Sequence, residues 1–193
     1  MRITDHRYNG ERARFDLAVR MIGHEARTGT IRACTGFSED RIRKIYTSYF
    51  KDCDNNAVKR RRGKSPSQIA NFISTSNIQF ESTILACLFV LSRAVEMNQH
   101  GDALPPKNID KVLLGQRICD SFESYKSLLP TPKFSFERAW GLFNALTHAN
   151  ELSLSNCESC NGTYIHDRYA LNYHFCPACE LLDQSVAITV GTT

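Results

Sequence analysis

No stretch of this sequence approaches the roughly 18 consecutive apolar residues that a membrane-spanning helix needs, and its opening residues, MRITDHRYNGERARFD, are polar and charged. Neither a bilayer span nor a secretory leader is expected, and the chain reads as cytoplasmic. There is no HExxH, no GxSxG and no glycine-rich phosphate loop. The usual signatures of metallopeptidases, serine hydrolases and nucleotide-binding enzymes are therefore missing. Paired acids such as Glu39 and Asp40 stand at a helix start, where the helix dipole explains them. No enzyme is expected. Internal repeats and long low-complexity tracts are also absent.

What is present is an ordinary globular composition, 193 residues with 42% hydrophobic and 23% charged, enough for one main domain and a small module. The net charge of +4 conceals a split. Residues 1–66 carry 16 Lys+Arg against 8 Asp+Glu, whereas residues 67–193 carry the remaining 8 against 12. A basic first third suits a polyanionic partner, above all nucleic acid, although a merely soluble basic surface has the same composition.

Residues 11–26 place Phe15, Ala18, Val19, Ile22 and Ala26 on one helical face, with Arg12, Arg14, Arg20 and Arg27 off it. A second helix begins at Ser38, a good N-cap followed by two acids. Its buried face is Ile42, Ile45, Tyr46 and Tyr49, and its opposite face carries Arg43, Lys44, Thr47, Ser48 and Lys51. Joined by a turn containing Gly36, these segments are a candidate helix-turn-helix in which the second helix enters the major groove. An ordinary helix pair with a solvated basic face is the other reading. Arg32 and Gly29 fit the motif poorly. The run Lys59, Arg60, Arg61, Arg62 and Lys64 then reads either as a solvated linker or as an arm that neutralises phosphates. With Arg41, Arg43, Lys44, Thr47 and Lys51, these five residues are the candidate DNA contacts.

From Ser76 the sequence turns apolar and helical, with Ile78, Ile84, Leu85, Leu88, Phe89, Leu91 and Val95 expected inside a central core helix closed by the turn GDALPP. Ile109, Val112, Leu113, Ile118 and Phe122 mark a further helix, and Ser135 caps a last one with Trp140, Leu142, Phe143 and Leu146 inside. The main body is expected to be all-helical.

Cys157, Cys160, Cys176 and Cys179 form C-x2-C-x15-C-x2-C, at the short edge of the spacings that hold tetrahedral zinc. Structural disulfides are disfavoured in a reducing compartment, and a redox centre with a reactive thiol is the other competing reading. Four thiolates close the metal shell and leave no position for water, so one structural Zn2+ per chain is expected. The segment TYIHDRYALNYHF between the pairs reads as two short strands around Asp167 and Asn172, with His166 and His174 on or beside the hairpin and outside the ligand set. Cys34, Cys53, Cys87 and Cys119 lack pair spacing; Cys87 and Cys119 suit buried, small apolar positions. The expected fold class is mainly α: a helical bundle with an N-terminal helix-turn-helix-like block and a small C-terminal four-cysteine zinc ribbon. The expected divisions are a basic region with its arm over 1–64, a helical core over 65–150, the zinc module over 151–183 and a flexible tail over 184–193.

TGFSEDRIRKIYTSY, then the basic run, then ERAWGLF and the late CESC and CPAC pairs together resemble the C subunit of the flagellar master transcriptional regulator, the FlhC family. The most specific part is Arg138-Ala139-Trp140 followed closely by two CxxC pairs. The resemblance implies a bacterial cytoplasmic activator of flagellar promoters, binding promoter DNA in a hetero-oligomer of itself with a small helical D-type subunit. RNA polymerase is a further expected partner, and the four cysteines carry the zinc. The competing function is a zinc-stabilised protein-interaction adaptor that reads no bases.

Overall fold

The computed structural model describes residues 3–51, 58–63, 66–98, 102–148, 151–171 and 173–180. Cys53, Lys64, Asn172 and the tail expected over 184–193 lie outside the described residues.

The first helix, α1 (Ile3–Gly23), starts well before the expected residue 11. It buries Leu17, Ala18, Met21 and Ile22, while Phe15 and Val19 only pack against the edge of the core. Glu25, at φ 59°, turns the chain out of it, and the N–H of Ala26 closes the end on the Met21 carbonyl at 3.0 Å. Next come α2 (Thr28–Thr35) and α3 (Glu39–Phe50). Gly36 occupies the left-handed C-cap of α2 at φ 71°, a conformation that costs glycine nothing. The Ser38 hydroxyl caps α3 by accepting from the Arg41 N–H. Ile31, Cys34, Phe37, Ile42 and Ile45 seal these helices to α1, giving the helix-turn-helix-like block its apolar floor. Tyr49, expected inside, is exposed and lies edge-on to Phe15.

After the short α4 (Ala70–Ile73), α5 (Ser76–Leu91) is capped by the Thr75 hydroxyl. It stops sooner than its apolar pattern suggests. Arg93 adopts φ 60°, Val95 folds back so that its N–H reaches the Phe89 carbonyl at 3.0 Å, and Leu91 is 78% exposed. The chain then forms a two-residue hairpin, β1 (Glu96–Met97) with β2 (Ala103–Leu104). The stretch read as a helix end and a turn thus contains strand, a small departure from an all-helical body. Periodicity alone does not distinguish a helix end from a short buried strand.

Asp110 caps α6 (Lys111–Leu128), and Ser135 caps α7 (Phe136–Thr147). α6 crosses α1 and α2 closely at Gly115, where a Cβ would sit 2.7 Å from Leu17 Cδ2 and 3.0 Å from Cys34 Cβ. Phe143, Leu142 and Leu146 are buried, with Trp140 half-buried and stacked on Phe143. The last elements are β3 (Leu152–Asn156) and β4 (Thr163–Asp167), an antiparallel pair with Leu154 opposite Ile165. Leu152 and Ile165 belong to the same core as α1–α7. The fold is mainly α, with the four cysteines clustered at one end of the hairpin.

One ion network fastens α1 to α6. Arg20 bonds Glu123 through Nε (2.8 Å) and Nη2 (2.6 Å) and also meets Asp120 at 2.6 Å, while His24 Nε2 lies 2.6 Å from Glu123. Hydrogen bonding to Arg20 first, with His24 contributing against the cost of burial, brings Glu123 down from 4.5 to about 2. A carboxyl with a depressed folded pKa stabilises the fold above its unfolded pKa, and that contribution disappears as pH falls from about 4.5 toward 2. Glu123→Gln should therefore flatten the decline of melting temperature across this window, measured by circular dichroism. An unchanged decline would assign the acid sensitivity elsewhere.

Candidate functional site

The two CxxC turns meet at the far end of the β3–β4 hairpin. The sulfurs of Cys157, Cys160, Cys176 and Cys179 all lie within 4.8 Å of one another, and Cys160 and Cys176 Sγ are 3.8 Å apart. Bonds of about 2.3 Å to a tetrahedral ion place neighbouring sulfurs about 3.8 Å apart, so the donor set fits a metal, and this separation is far longer than a disulfide. Backbone amides support it: Cys176 N–H points to Cys157 Sγ at 3.2 Å and Gly162 N–H to Cys160 Sγ at 3.4 Å. Burial opposes ionisation of Cys157, but the backbone N–H groups of Cys160, Cys176 and Ser159 outweigh it and lower the thiol to about 6. A readily formed thiolate is the metal-binding form of cysteine. Within the cluster, the hydrogen bond from Ser159 lowers Cys179, but those with the neighbouring thiols of Cys176 and Cys160 outweigh it and raise this thiol to about 12. Burial raises the scattered Cys34 and Cys119 to about 12, as suits packing residues.

The second strand is not where the sequence pattern placed it. β4 pairs with residues 152–156, ahead of the first cysteine pair, and no strand occurs among the described residues of 168–175. Leu152-Ser153-Leu154-Ser155 alternates apolar and hydroxyl side chains at the strand period, a signal overlooked because it lies outside the cysteine frame. The outer edge of β4 is satisfied by α5: Ile165 N–H donates to Thr83 Oγ1 at 3.1 Å, and Gln79 Nε2 donates to the Ile165 carbonyl at 2.7 Å. His166 is buried, with Nδ1 2.7 Å from the Asp167 carbonyl and Nε2 2.9 Å from Ser155 Oγ. His174 is exposed and lies 2.7 Å from Glu158. Neither histidine joins the sulfur cluster.

At the other end of the molecule, α3 presents Arg41, Arg43, Lys44, Thr47 and Lys51 to solvent. Arg41 is held against the body by an ion pair with Glu11 on α1 and by its position 3.9 Å over the Phe37 ring. Arg43 pairs with Asp40 at 3.0 Å and Glu39 at 3.7 Å. Such exposed pairs are worth under about 1 kcal/mol, so Arg43 can exchange them for another anion. Thr47 donates its hydroxyl to the Arg43 carbonyl.

The basic run adjoins this helix. Tyr46 of α3 donates its hydroxyl to the Val58 carbonyl at 2.7 Å, and Arg60 lies 5.6 Å over the Tyr46 ring while reaching Thr28 Oγ1 at 3.3 Å. Glu25 accepts from the Lys59 N–H at 3.2 Å and from Arg61 at 2.8 Å. Residues 58–61 are therefore strapped to α3 and the α1–α2 corner, and Arg62 is exposed beside them. Glu25, at a separation of more than thirty residues, has no sequence signal marking this role.

The Flagellar transcriptional activator (FlhC) family model matches residues 7–188. A search of curated proteins finds no matching sequence. No helix among the described residues is long and apolar enough to cross a membrane. A match that takes in the basic block, the α7 stretch and all four clustered cysteines covers nearly the whole chain, and the chain belongs to the FlhC family of flagellar transcriptional activators, a family of regulators rather than a class of enzyme.

Proposed function

We propose that the chain activates flagellar promoters by placing α3 in the major groove while residues 59–62 and Lys64 grip the flanking phosphates. The observation carrying this reading is the contact of Arg60 and Val58 with Tyr46, which holds the basic run beside α3. Charge from the run supplies sequence-independent affinity, and side chains on α3 supply discrimination. Cys157, Cys160, Cys176 and Cys179 hold one structural Zn2+, which organises the end of the hairpin and takes no part in chemistry. Family membership supports a small helical D-type subunit and a second copy of the chain as oligomer partners, RNA polymerase as the downstream contact, and a cytoplasmic site of action.

Replacing Arg60, Arg61 and Arg62 together by Ala should weaken binding to any duplex and flatten the slope of log affinity against log salt by up to about three units. Arg61 contributes less than the others if leaving Glu25 cancels part of its gain. A salt titration by fluorescence anisotropy reads this directly. An unchanged slope would make the run a strap only and favour a protein-interaction adaptor.

A further inference from the structure

Glu137, Arg138 and Gly141, on the first two turns of α7, are not among the residues assigned above to metal or DNA. Glu137 reaches the start of α2, and Arg138 and Gly141 meet residues 66–71. α2 has no cap of its own: Arg27 at the N-cap position makes no side-chain cap bond, and the first turn contains no acid. The opening N–H groups of any helix need outside acceptors, and here α7 provides one. Glu137, 2% exposed, accepts from the Arg27 backbone N–H at 2.6 Å and from Thr30 Oγ1 at 3.2 Å. A carboxylate at this end of a helix is favoured by the dipole, and a buried carboxylate is costly without such donors. The two elements are thus locked to each other across a sequence separation of 110.

Neighbouring residues extend the lock. Arg138 donates to the Asn71 carbonyl through Nε at 2.8 Å and also through Nη2. Gly141 lies so close to the carbonyl oxygen of Pro66 that a Cβ there would collide with it. The same turn of α7 therefore meets the start of α2 and the chain just beyond the basic run. From α2, the Gly36 turn carries the orientation to α3, with the Thr35 hydroxyl accepting from the Phe37 N–H at 3.2 Å.

We propose that Glu137 is a positioning residue for promoter recognition: by capping α2 from α7 it fixes the angle at which α3 is offered to DNA. This inference rests on α3 being the reading helix. The test uses Glu137→Gln, which replaces one carboxylate oxygen by a donor, and Thr30→Val, which deletes the hydroxyl donor while keeping its shape. Each zinc-loaded full-length variant is titrated with a flagellar-promoter duplex and with a scrambled duplex of equal length at one salt concentration. Amide exchange of residues 27–31 is followed in parallel. Either variant should lose about tenfold on the promoter duplex, on the scale of a lost helix cap, with scrambled binding nearly unchanged and the Arg27 amide exchanging faster. Thr30→Val keeps the test open should Glu137→Gln fold poorly. Faster exchange with an unaltered promoter-to-scrambled ratio would overturn the proposal, as would an equal loss on both duplexes. If Arg43→Ala on α3 remains selective in its effect while these variants do not, only the positioning role falls; if Arg43→Ala is also unselective, the reading of α3 falls with it.

Discussion

Replacing Cys176 by Ser is expected to take the zinc content of the purified chain from about one ion to nearly none, because a structural site owes its folding energy to complete thiolate ligation. Cys176 is central to the cluster: its sulfur faces Cys160 at 3.8 Å and its amide supports Cys157 at 3.2 Å. The structure also sets how far the damage spreads. Leu152 and Ile165 sit in the main core, and Thr83 and Gln79 hold the β4 edge without help from the metal. Cys157, Tyr164 and Cys179 instead form a separate small cluster. Hydrogen exchange in the variant should therefore accelerate around residues 157–162 and 176–180, while residues 152–154 and 165–166 stay protected. Metal analysis together with exchange mass spectrometry measures both. Full protection around the cysteines in a zinc-free preparation would show that the metal organises nothing.

The cysteine frame was legible because ligand spacing is a local property: two residues between thiols suffice to bring both to one ion. Ser38, Gly36 and Ser135 were legible for the same reason, since caps act within a few residues. Contacts between distant segments were not. Nothing near Glu137 announces that it caps α2, and nothing near Glu25 announces that it straps Lys59 and Arg61. The apolar run after Ser76 marks a core helix but overstates its length, because Val95 is buried by folding back rather than by continuing the helix. β4 lies between the cysteine pairs as its residues suggest, but its partner β3 precedes them, outside the frame that the cysteines mark.

Arg43→Ala is expected to cost roughly 1 to 3 kcal/mol on a flagellar promoter and much less on random DNA, eroding specificity. Residues near the start of a recognition helix reach deepest into the major groove, and Arg43 stands one turn into α3 with its guanidinium exposed. Its partners Asp40 and Glu39 are surface acids on the same helix, so releasing them costs little. Lys44 shares this position near the helix start. Lys51, at the far end, is placed for phosphate, and Lys51→Ala should weaken promoter and random duplexes alike. Arg41, occupied by Glu11 and Phe37, should show a smaller effect than Arg43. Equal losses on the two duplexes for Arg43→Ala would move base contact away from α3, to the zinc module or to the partner subunit.

The proposed function depends on the chain distinguishing one DNA sequence from another. The most direct measurement is the affinity of the zinc-loaded protein, purified with any D-type subunit that accompanies it, for a flagellar-promoter duplex and for a scrambled duplex of the same composition at one fixed salt concentration. Sequence-specific recognition predicts tighter promoter binding by at least about 10³-fold. Indistinguishable affinities for the two duplexes would contradict it.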